Sequence, residues 1–470
     1  MSPRAILAWL GPWRVEGILA QRLGVVFGAS VLWDVLLVLD GQSAAVAATV
    51  LGVAAAIVAY PVLTAWSVRA FLTNAPSRGV RPWAARLLVC ARPLVLLTLL
   101  GIAVQVPTDV SPGAPVYQDV SPSVICAARD VLGGHDPYRT PELQCLHELH
   151  VSPVLATPLR AGPFANLASY PTPAQELAVA RETRGQGYRT AAFPYFGYPP
   201  LSFLSMLPVA YAPRGMWALW TLLWAAGLLL ALGRLAGRYW PAVILIFTLQ
   251  WSLGGILGMA AEGDAEFFAI GLMALAFVLM DSPRVSAVLL GLAVATSQLA
   301  WLVVPGYLVW SRWLPLPGRR LCWLCTTVGI AVLPWLVVYP DAASAILRLL
   351  TQPSYPFGIG VVALRFLAPS LPVIDKSVYL AATAAAEMVA LLVGSLYAAW
   401  APLAVVLAPT ALWLSWRSET SYLGLLPVLA CCVALGLHRL HRQAAAARDP
   451  GPRPDLRMIA RASRPGEMAG

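Results

Sequence analysis

The chain has 470 residues, of which 59% are apolar and only 11% charged, and its formal net charge is +10. The apolar runs are too long and too frequent for a soluble core, so the composition indicates a polytopic membrane protein. The basic residues lie in short groups beside these runs, as in the loops of membrane proteins, and this distribution argues against a nucleic-acid partner.

Ten apolar stretches approach the roughly twenty residues that a helix needs to cross a bilayer. They lie at about 21–40, 44–68, 86–106, 216–233, 240–259, 265–280, 321–338, 377–394, 396–414 and 421–437. Two further stretches, 199–213 and 285–311, are interrupted by Pro208 and Pro305 and predict short or kinked helices. We therefore expect an all-α polytopic membrane protein with roughly ten to thirteen membrane-spanning or half-length helices.

These stretches divide the chain into four parts. Residues 1–106 hold an N-terminal amphipathic segment and the first three membrane helices, and residues 107–198 form a large polar loop. Residues 199–437 form the helix bundle, and residues 438–470 form a basic tail that we expect to be disordered.

The basic residues predict the orientation. The segment 69–92 has five arginines and no acid, and the tail has seven arginines against three acids, whereas residues 107–197 have six arginines against eight acids. The positive-inside rule then predicts cytoplasmic N- and C-termini and an extracytoplasmic loop. Arg234 and Arg238 do not fit this count, so one element between 199 and 259 should be re-entrant.

Among the basic residues only Lys376 is a lysine, and alanine and proline are plentiful. This bias is typical of high-GC bacterial genomes. The expected location is therefore a bacterial plasma membrane, which the chain crosses several times.

The large loop contains a helix signal. Pro122 suits a first helical turn and Gly133-Gly134 ends the pattern, while apolar residues recur between them at helical spacing: Val124, Ala127, Ala128, Val131 and Leu132. The pattern predicts a short amphipathic helix along the membrane surface, with Asp119 just ahead of it. Asp109-Val-Ser-Pro repeats the four residues that begin at Asp119, so the two aspartates remain alternatives.

An aspartate at this level has a direct use in sugar transfer. It can take the proton of an incoming hydroxyl as general base while a lipid phosphate leaves, without the carboxyl pair that glycoside hydrolases need. The alternative is that Asp119 only caps the helix that follows it.

Two cysteines, Cys126 and Cys145, lie in the same loop. An extracytoplasmic compartment would let them form a disulfide that stabilises the loop by roughly 3 kcal/mol. Two unpaired thiols are the alternative, because the sequence does not supply the Cα separation.

Two sets of motifs stand in order along the chain. The first comprises Asp119, Ala127-Ala128, Gly134-His-Asp-Pro-Tyr138 and Gly197-Tyr-Pro-Pro-Leu201; the second comprises Glu262-Gly-Asp264-Ala-Glu266, Pro283-Arg284 and Gly291-Leu-Ala-Val-Ala-Thr-Ser-Gln-Leu-Ala-Trp301. They resemble the C-type glycosyltransferases, specifically the bacterial polyprenyl-phosphate-mannose-dependent mannosyltransferases of phosphatidylinositol mannoside and lipoglycan assembly. Ser297 stands where the family pattern has a lysine, so a cation that could hold a phosphate is missing there.

The resemblance implies a C-type glycosyltransferase architecture with a large first extracytoplasmic loop. It also implies an inverting hexosyltransferase that moves mannose from a polyprenyl-phosphate donor to a cell-envelope lipid or glycan acceptor. The alternative sugar is arabinofuranose, which would make the enzyme a pentosyltransferase. Asp119, or alternatively Asp109, would be the base. A nucleotide-sugar donor is disfavoured, because the sequence has no glycine-rich phosphate loop or Rossmann fingerprint.

Other polar residues have two interpretations each. Asp264 and Glu266 either meet a helix dipole or contact an acceptor or a divalent cation, the one cofactor left open. Arg365 either holds the departing phosphate or snorkels to the interface. Gln298 contacts the donor or a neighbouring helix, and Tyr198 stacks on a sugar or anchors the membrane surface.

Asp34 and Glu387 fall within apolar spans, where a charge is costly. They favour a rival function, a flippase for lipid-linked sugars or a proton-coupled transporter. The absence of repeated halves in the helix pattern argues against that function. A non-catalytic envelope-assembly protein is a third hypothesis, favoured if the missing lysine means lost activity.

Overall fold

The computed structural model describes residues 120–153, 196–248, 263–351, 376–415 and 425–448, together with 357–358, 417–418 and some isolated positions. This part of the chain is almost wholly helical. In chain order its helices are α1 (Val120–Leu132), α2 (Glu142–Glu148), α3 (Pro200–Met206), α4 (Arg214–Ala236), α5 (Trp240–Thr248), α6 (Glu266–Val278), α7 (Pro283–Thr296), α8 (Leu299–Ser311), α9 (Pro317–Val338), α10 (Ala342–Thr351), α11 (Lys376–Leu396), α12 (Leu403–Trp413) and α13 (Leu425–Arg448).

Short elements complete the described part. The 3-10 turns Leu207–Val209 and Gly237–Tyr239 follow α3 and α4. Two-residue strands, β1 (Phe357–Gly358) and β2 (Arg417–Ser418), run parallel, with Phe357 opposite Arg417 and Gly358 opposite Ser418.

Within the described ranges, four helical segments are long and apolar enough to cross a membrane. They are Arg214–Thr248, Pro317–Val338, Lys376–Leu396 and Leu425–Gln443. Five shorter apolar segments accompany them: Pro200–Val209, Glu266–Val278, Pro283–Thr296, Leu299–Ser311 and Leu403–Trp413. The structure is therefore consistent with an all-α membrane protein. The count of ten to thirteen helices stays a prediction, because the first three predicted spans lie almost entirely outside the described residues.

The segment Arg214–Thr248 bends at Gly237, whose φ of 57° is in the left-handed region that favours glycine. Helix α5 then packs back against α4, and the Ile244 Cδ1 atom lies 3.8 Å from the position that a Cβ on Gly233 would occupy. The segment is thus a helical hairpin, in which α4 alone has the length of a full crossing.

The stretch 285–311 is broken at a different place from the one predicted. The chain leaves the helix at Ser297, with φ −147° and ψ 145°, and restarts at Leu299, whereas Pro305 lies inside α8. The prediction of a break at Pro305 was wrong. At the break, the Trp301 indole N–H donates to the Val294 carbonyl (3.0 Å), so a side chain stabilises a backbone group near the end of α7.

Helix α13 continues past the predicted end of the bundle. It extends to Arg448, so residues 438–448 of the predicted tail are helical. Arg439 pairs with Asp281 at 2.6 Å, and Gln443 donates to the same carboxylate at 3.0 Å, which gives this part of the helix partners in the bundle. Only the residues after 448 lie outside the described part of the tail.

Candidate functional site

The bundle has two ends, one of which is rich in arginine. The first, called the arginine end, is defined by Arg238, Arg284, Arg320, Arg439 and Arg442. Helix α9 runs from this end to Trp335, whose ring meets Phe203 of α3 edge-on at 5.6 Å. Its 22 residues extend about 33 Å, which is close to the thickness of a bilayer core. The opposite end, where α1 and α3 pack, is called the loop end.

Helix α1 covers the loop end, and the predicted helix in the large loop is confirmed. Its buried residues include Val124, Ala127 and Ala128, and the chain turns at Gly134 with φ 75°. Beyond that turn, the Tyr138 ring packs against Phe196 at 5.6 Å and its hydroxyl donates to the Tyr198 carbonyl at 3.1 Å. The loop helix and the start of the next membrane segment therefore form one packed unit.

A disulfide between Cys126 and Cys145 fastens α2 to α1, with a Cα separation of 5.9 Å. Close by, the buried Ser123 hydroxyl donates to the Glu142 carboxylate at 2.9 Å. The structure thus selects the paired form of the two cysteines.

The short helix Pro200–Val209 begins and ends at the loop end. At its start the Tyr198 carbonyl accepts from Tyr138, and just after its end the Ala210 carbonyl accepts from Arg129 Nε at 2.8 Å. Its two ends therefore lie on the same side of the bundle, as a re-entrant element would require, and the re-entrant assignment stays a prediction. Helix α4 then starts at the loop end and carries Arg234 to the arginine end.

Three helices stop short of a full crossing. Helices α6, α7 and α8 have 13, 14 and 13 residues and extend about 20 Å each. We call their loop-side ends the recess; it is defined by Asp264, Ser297 and Gln298. Polar groups and irregular backbone at this depth need partners inside the protein.

Gln298 has such a partner. Its side-chain Nε2 donates to the Gly197 carbonyl at 2.5 Å, which links the recess to the chain that enters α3. Ser297 is fully buried, and its hydroxyl accepts from the Leu299 N–H at 3.2 Å. The residue at the expected lysine position therefore supports the first turn of α8.

Asp264 likewise stabilises the start of a helix, α6. It is 1% exposed, and its Oδ1 accepts from the Glu266 N–H at 2.7 Å. Gly263 precedes it with φ 79°, and a Cβ there would lie 2.9 Å from the Trp217 Cβ, so the turn needs glycine. This geometry favours the helix-start interpretation. Within the described ranges, no three His, Cys, Asp or Glu side chains group so as to hold a metal ion.

Asp130 is a further site candidate, and it belongs to none of the sequence motifs. Burial raises the pKa of this carboxyl to about 6, the neighbouring His135 lowers it and Asp136 raises it further. Asp130 also contributes, with burial and Asp136, to a raised pKa of Tyr339 at the end of α9. Its sequence signal is an acid in the last turn of a helix, where the helix dipole disfavours negative charge.

Arg139 lies at the rim of the same region. It is exposed, forms an ion pair with Asp341 and lies 3.7 Å from Asp136. The hydrogen bond and charge of Asp341, together with the charge of Asp136, raise the pKa of Arg139. Arg139 therefore places a positive charge at the loop end. It lies between α1 and α2, whereas Ser297, which stands where the family pattern has a lysine, lies between α7 and α8.

The remaining predicted residues divide into two groups. Asp109, Asp119, Arg365 and Asp34 lie outside the described residues. Tyr198 is half-buried with its ring 5.7 Å from Phe196, and both of its interpretations stay predictions.

An apolar groove lies between α4 and α6. It has a volume of about 320 Å³ and is lined by Trp220, Leu223, Trp224, Gly227, Leu228, Phe267, Phe268, Gly271, Leu272 and Leu275. Leu223 and Trp224 are 60% and 50% exposed, so the groove opens to the outside of the bundle. Trp220 and Phe268 also belong to the apolar cluster beneath α1, and Phe268 is in the first turn of α6. Phe267 and Phe268 of the groove directly follow Glu266, whose N–H donates to Asp264.

No family model matches the chain, and comparisons with curated proteins and with solved structures find no similar protein.

Proposed function

We propose that this protein is a membrane glycosyltransferase that moves a sugar from a polyprenyl-phosphate donor to a lipid or glycan acceptor. Mannose is the sugar we propose. The observation that carries the proposal is the apolar groove between α4 and α6, whose lining residues Phe267 and Phe268 directly follow the polar helix start at Asp264 and Glu266. A polyprenyl-phosphate sugar has an apolar chain and a polar head, and this groove offers an apolar surface close to a polar helix end. In the proposal, carboxylates of the acidic loop meet the head.

Two independent features support an extracytoplasmic loop end in a bacterial plasma membrane. The disulfide between Cys126 and Cys145 is of a kind that persists in oxidising compartments. The arginine end fits the positive-inside rule if it faces the cytoplasm. Both features support a proposed reaction on the outer face.

The donor phosphate requires positive charge, which Ser297 does not provide. Arg139 is the described cation that best fits this role, because it is exposed and its guanidinium can bind a phosphate through two parallel hydrogen bonds. Arg365 remains a second candidate. In the bound state Arg139 exchanges its Asp341 partner for the phosphate oxygens.

In the proposed reaction an aspartate removes the proton of the acceptor hydroxyl. The hydroxyl oxygen forms a bond to the anomeric carbon as the bond from that carbon to the phosphate oxygen breaks, and the polyprenyl phosphate leaves as an anion with inversion. Asp119 and Asp109 are the bases expected from the sequence. Asp130 joins them, because a pKa of about 6 suits a group that exchanges protons near neutral pH.

The test is transfer of labelled mannose from polyprenyl-phosphate-mannose in membranes that contain the protein. Asp119→Asn, Asp109→Asn and Asp130→Asn are compared with Glu148→Gln, a matched change at an exposed acid of α2. We expect at least one aspartate variant to lose about a hundredfold or more in rate, while Glu148→Gln keeps it. Full activity in all three aspartate variants would contradict the proposed mechanism.

One observation favours a second candidate, a transporter of lipid-linked sugars. Glu387 lies in the middle of α11, and no described residue forms a hydrogen bond with either of its carboxylate oxygens. Intramembrane acids of this kind occur in proton-coupled carriers. Movement of intact lipid-linked sugar across proteoliposomes, lost in Glu387→Gln and without any sugar transfer, would select this function.

A further inference from the structure

The apolar groove between α4 and α6 is lined by two glycines that differ in their surroundings. A Cβ added to Gly271 of α6 would lie 3.1 Å from the Leu228 Cδ2 atom, so this glycine lets α4 and α6 approach each other. A Cβ added to Gly227 of α4 would meet no atom within 4 Å. Helix packing therefore accounts for Gly271 and does not account for Gly227.

Gly227 lies inside α4, at a position where glycine is a poorer helix former than alanine. Its backbone does not require glycine, because the positive φ angles of the described glycines occur at Gly134, Gly237 and Gly263. The missing side chain instead leaves open space on the wall of the groove, which Gly227 lines. Such a space can admit a side branch of a bound chain.

Van der Waals packing decides which apolar chain the groove prefers. The groove opens to the outside of the bundle at Leu223 and Trp224, so a bound chain exchanges contacts with lipid tails for contacts with the groove. Lipid tails are as apolar as the lining, and the exchange brings no hydrophobic gain. A void beside a bound chain loses contacts outright. A chain with methyl branches can fill the space over Gly227, whereas a linear chain leaves it empty.

The volume of the groove limits how much of a chain it contacts. The groove has a volume of about 320 Å³. An isoprene unit fills roughly 120 Å³ at the packing density of a protein interior, so about three units fit. The rest of a longer chain stays among the lipid tails and adds no binding free energy.

We propose that Gly227 makes the groove selective for a methyl-branched isoprenoid chain over a linear acyl chain, through contacts with about three isoprene units. The inference rests on the proposed function, which places the chain of the donor in this groove. Gly227 is then a specificity-determining residue that takes no part in the chemistry. Ordinary phospholipids have linear chains and are the most abundant competitors in a bilayer, so this selection keeps the groove available to the donor.

The experiment measures competition for the groove in nanodiscs that contain the full chain. The probe is a farnesyl phosphate that carries a photoreactive diazirine, and the labelled peptides are identified by mass spectrometry. The competitors are farnesyl phosphate, dodecyl phosphate, which has a linear chain of the same backbone length, and a long-chain polyprenyl phosphate, each at the same ratio to lipid. We expect labelling of α4 and α6, with farnesyl phosphate competing about threefold or more better than dodecyl phosphate.

The long-chain polyprenyl phosphate should compete like farnesyl phosphate, within about twofold, because the groove contacts only part of its chain. Equal competition by dodecyl and farnesyl phosphate overturns the proposed selectivity. Competition by the long chain that is tenfold or more stronger, about ten times that of farnesyl phosphate, overturns the limit on the contacted length. Labelling confined to other helices overturns both.

The variants are Gly227→Leu, which fills the space, and Ala226→Leu as the matched control at an exposed neighbour that does not line the groove. We expect the preference for farnesyl over dodecyl phosphate to disappear in Gly227→Leu and to persist in Ala226→Leu. A wild-type preference in Gly227→Leu overturns the proposal. If Gly227→Leu does not fold, Gly227→Ala replaces it, with a weakened preference expected, because its added methyl group occupies part of the same space.

Mannose transfer, measured on the same proteins, separates this inference from the proposed function. A preference for the branched chain without any sugar transfer overturns the proposed function and supports the selectivity of the groove. Sugar transfer without such a preference overturns the selectivity and supports the proposed function.

Discussion

Replacing Asp130 by asparagine should stabilise the protein at neutral and higher pH. Burial and Asp136 hold the pKa of this carboxyl near 6, above its ordinary 3.8. Such a difference would correspond to about 3 kcal/mol against the ionised form in a fully buried site. Because Asp130 is about half-buried, solvent screening reduces the expected effect to about 1 kcal/mol.

The sign follows from proton linkage. The folded protein binds the Asp130 proton more tightly than the unfolded chain, so the wild type loses stability as the pH rises through 6. Below about pH 4 the carboxyl is protonated in both states, and Asp130→Asn should then have no effect. At about pH 8 the variant should be more stable by the full 1 kcal/mol.

The assay is the unfolding midpoint of purified protein in mixed micelles, measured from about pH 4 to pH 8. Asp341→Asn is the contrasting variant, because this exposed acid is ion-paired with Arg139 and its loss should cost less than about 1 kcal/mol. A stabilisation by Asp130→Asn that is equal at pH 4 and pH 8, or a loss of stability at pH 8, would refute the reasoning. Lower sugar transfer in the stabilised variant would indicate that the carboxylate is kept for function.

Three further outcomes are expected. Replacing Cys126 and Cys145 together by serine should destabilise the loop by about 3 kcal/mol, measured as faster proteolysis of α1 and α2; unchanged proteolysis would show that the loop packs without the bond. Gly306→Ala should cost about 1–3 kcal/mol, since the added Cβ would lie 2.7 Å from a backbone oxygen of α12, whereas Gly227→Ala meets no atom within 4 Å and should be neutral or stabilising. Equal unfolding midpoints of the two glycine variants would contradict this packing. Gln298→Leu should cost about 1–3 kcal/mol in unfolding free energy, because it removes the donor to a buried carbonyl; a midpoint equal to the wild type would refute that role.

The loop helix was predictable because its signals are local. Pro122 and Gly133-Gly134 mark the two ends, and the spacing of Val124, Ala127 and Ala128 identifies the buried face. The structure has α1 at Val120–Leu132 with these residues buried. Long apolar helices such as α9 and α11 were predictable from composition for the same reason.

The break before α8 was not predictable in this way. The sequence favours Pro305 as the interruption, but the chain breaks at Ser297, where Gln298 bonds to Gly197 about a hundred residues away. The burial of Asp130 and the disulfide likewise depend on contacts between separate segments. Local patterns carry no information about which distant carbonyl or carboxylate a side chain will meet.

The groove between α4 and α6 opens at Leu223 and Trp224, on the side of the bundle that faces away from the core. The proposed polyprenyl-phosphate donor would reach this groove by two-dimensional diffusion within one leaflet. Its occupancy would then be set by its mole fraction among the lipids rather than by its concentration in the bulk sample. Diluting the bilayer with inert lipid should slow the proposed transfer even at a fixed total amount of donor.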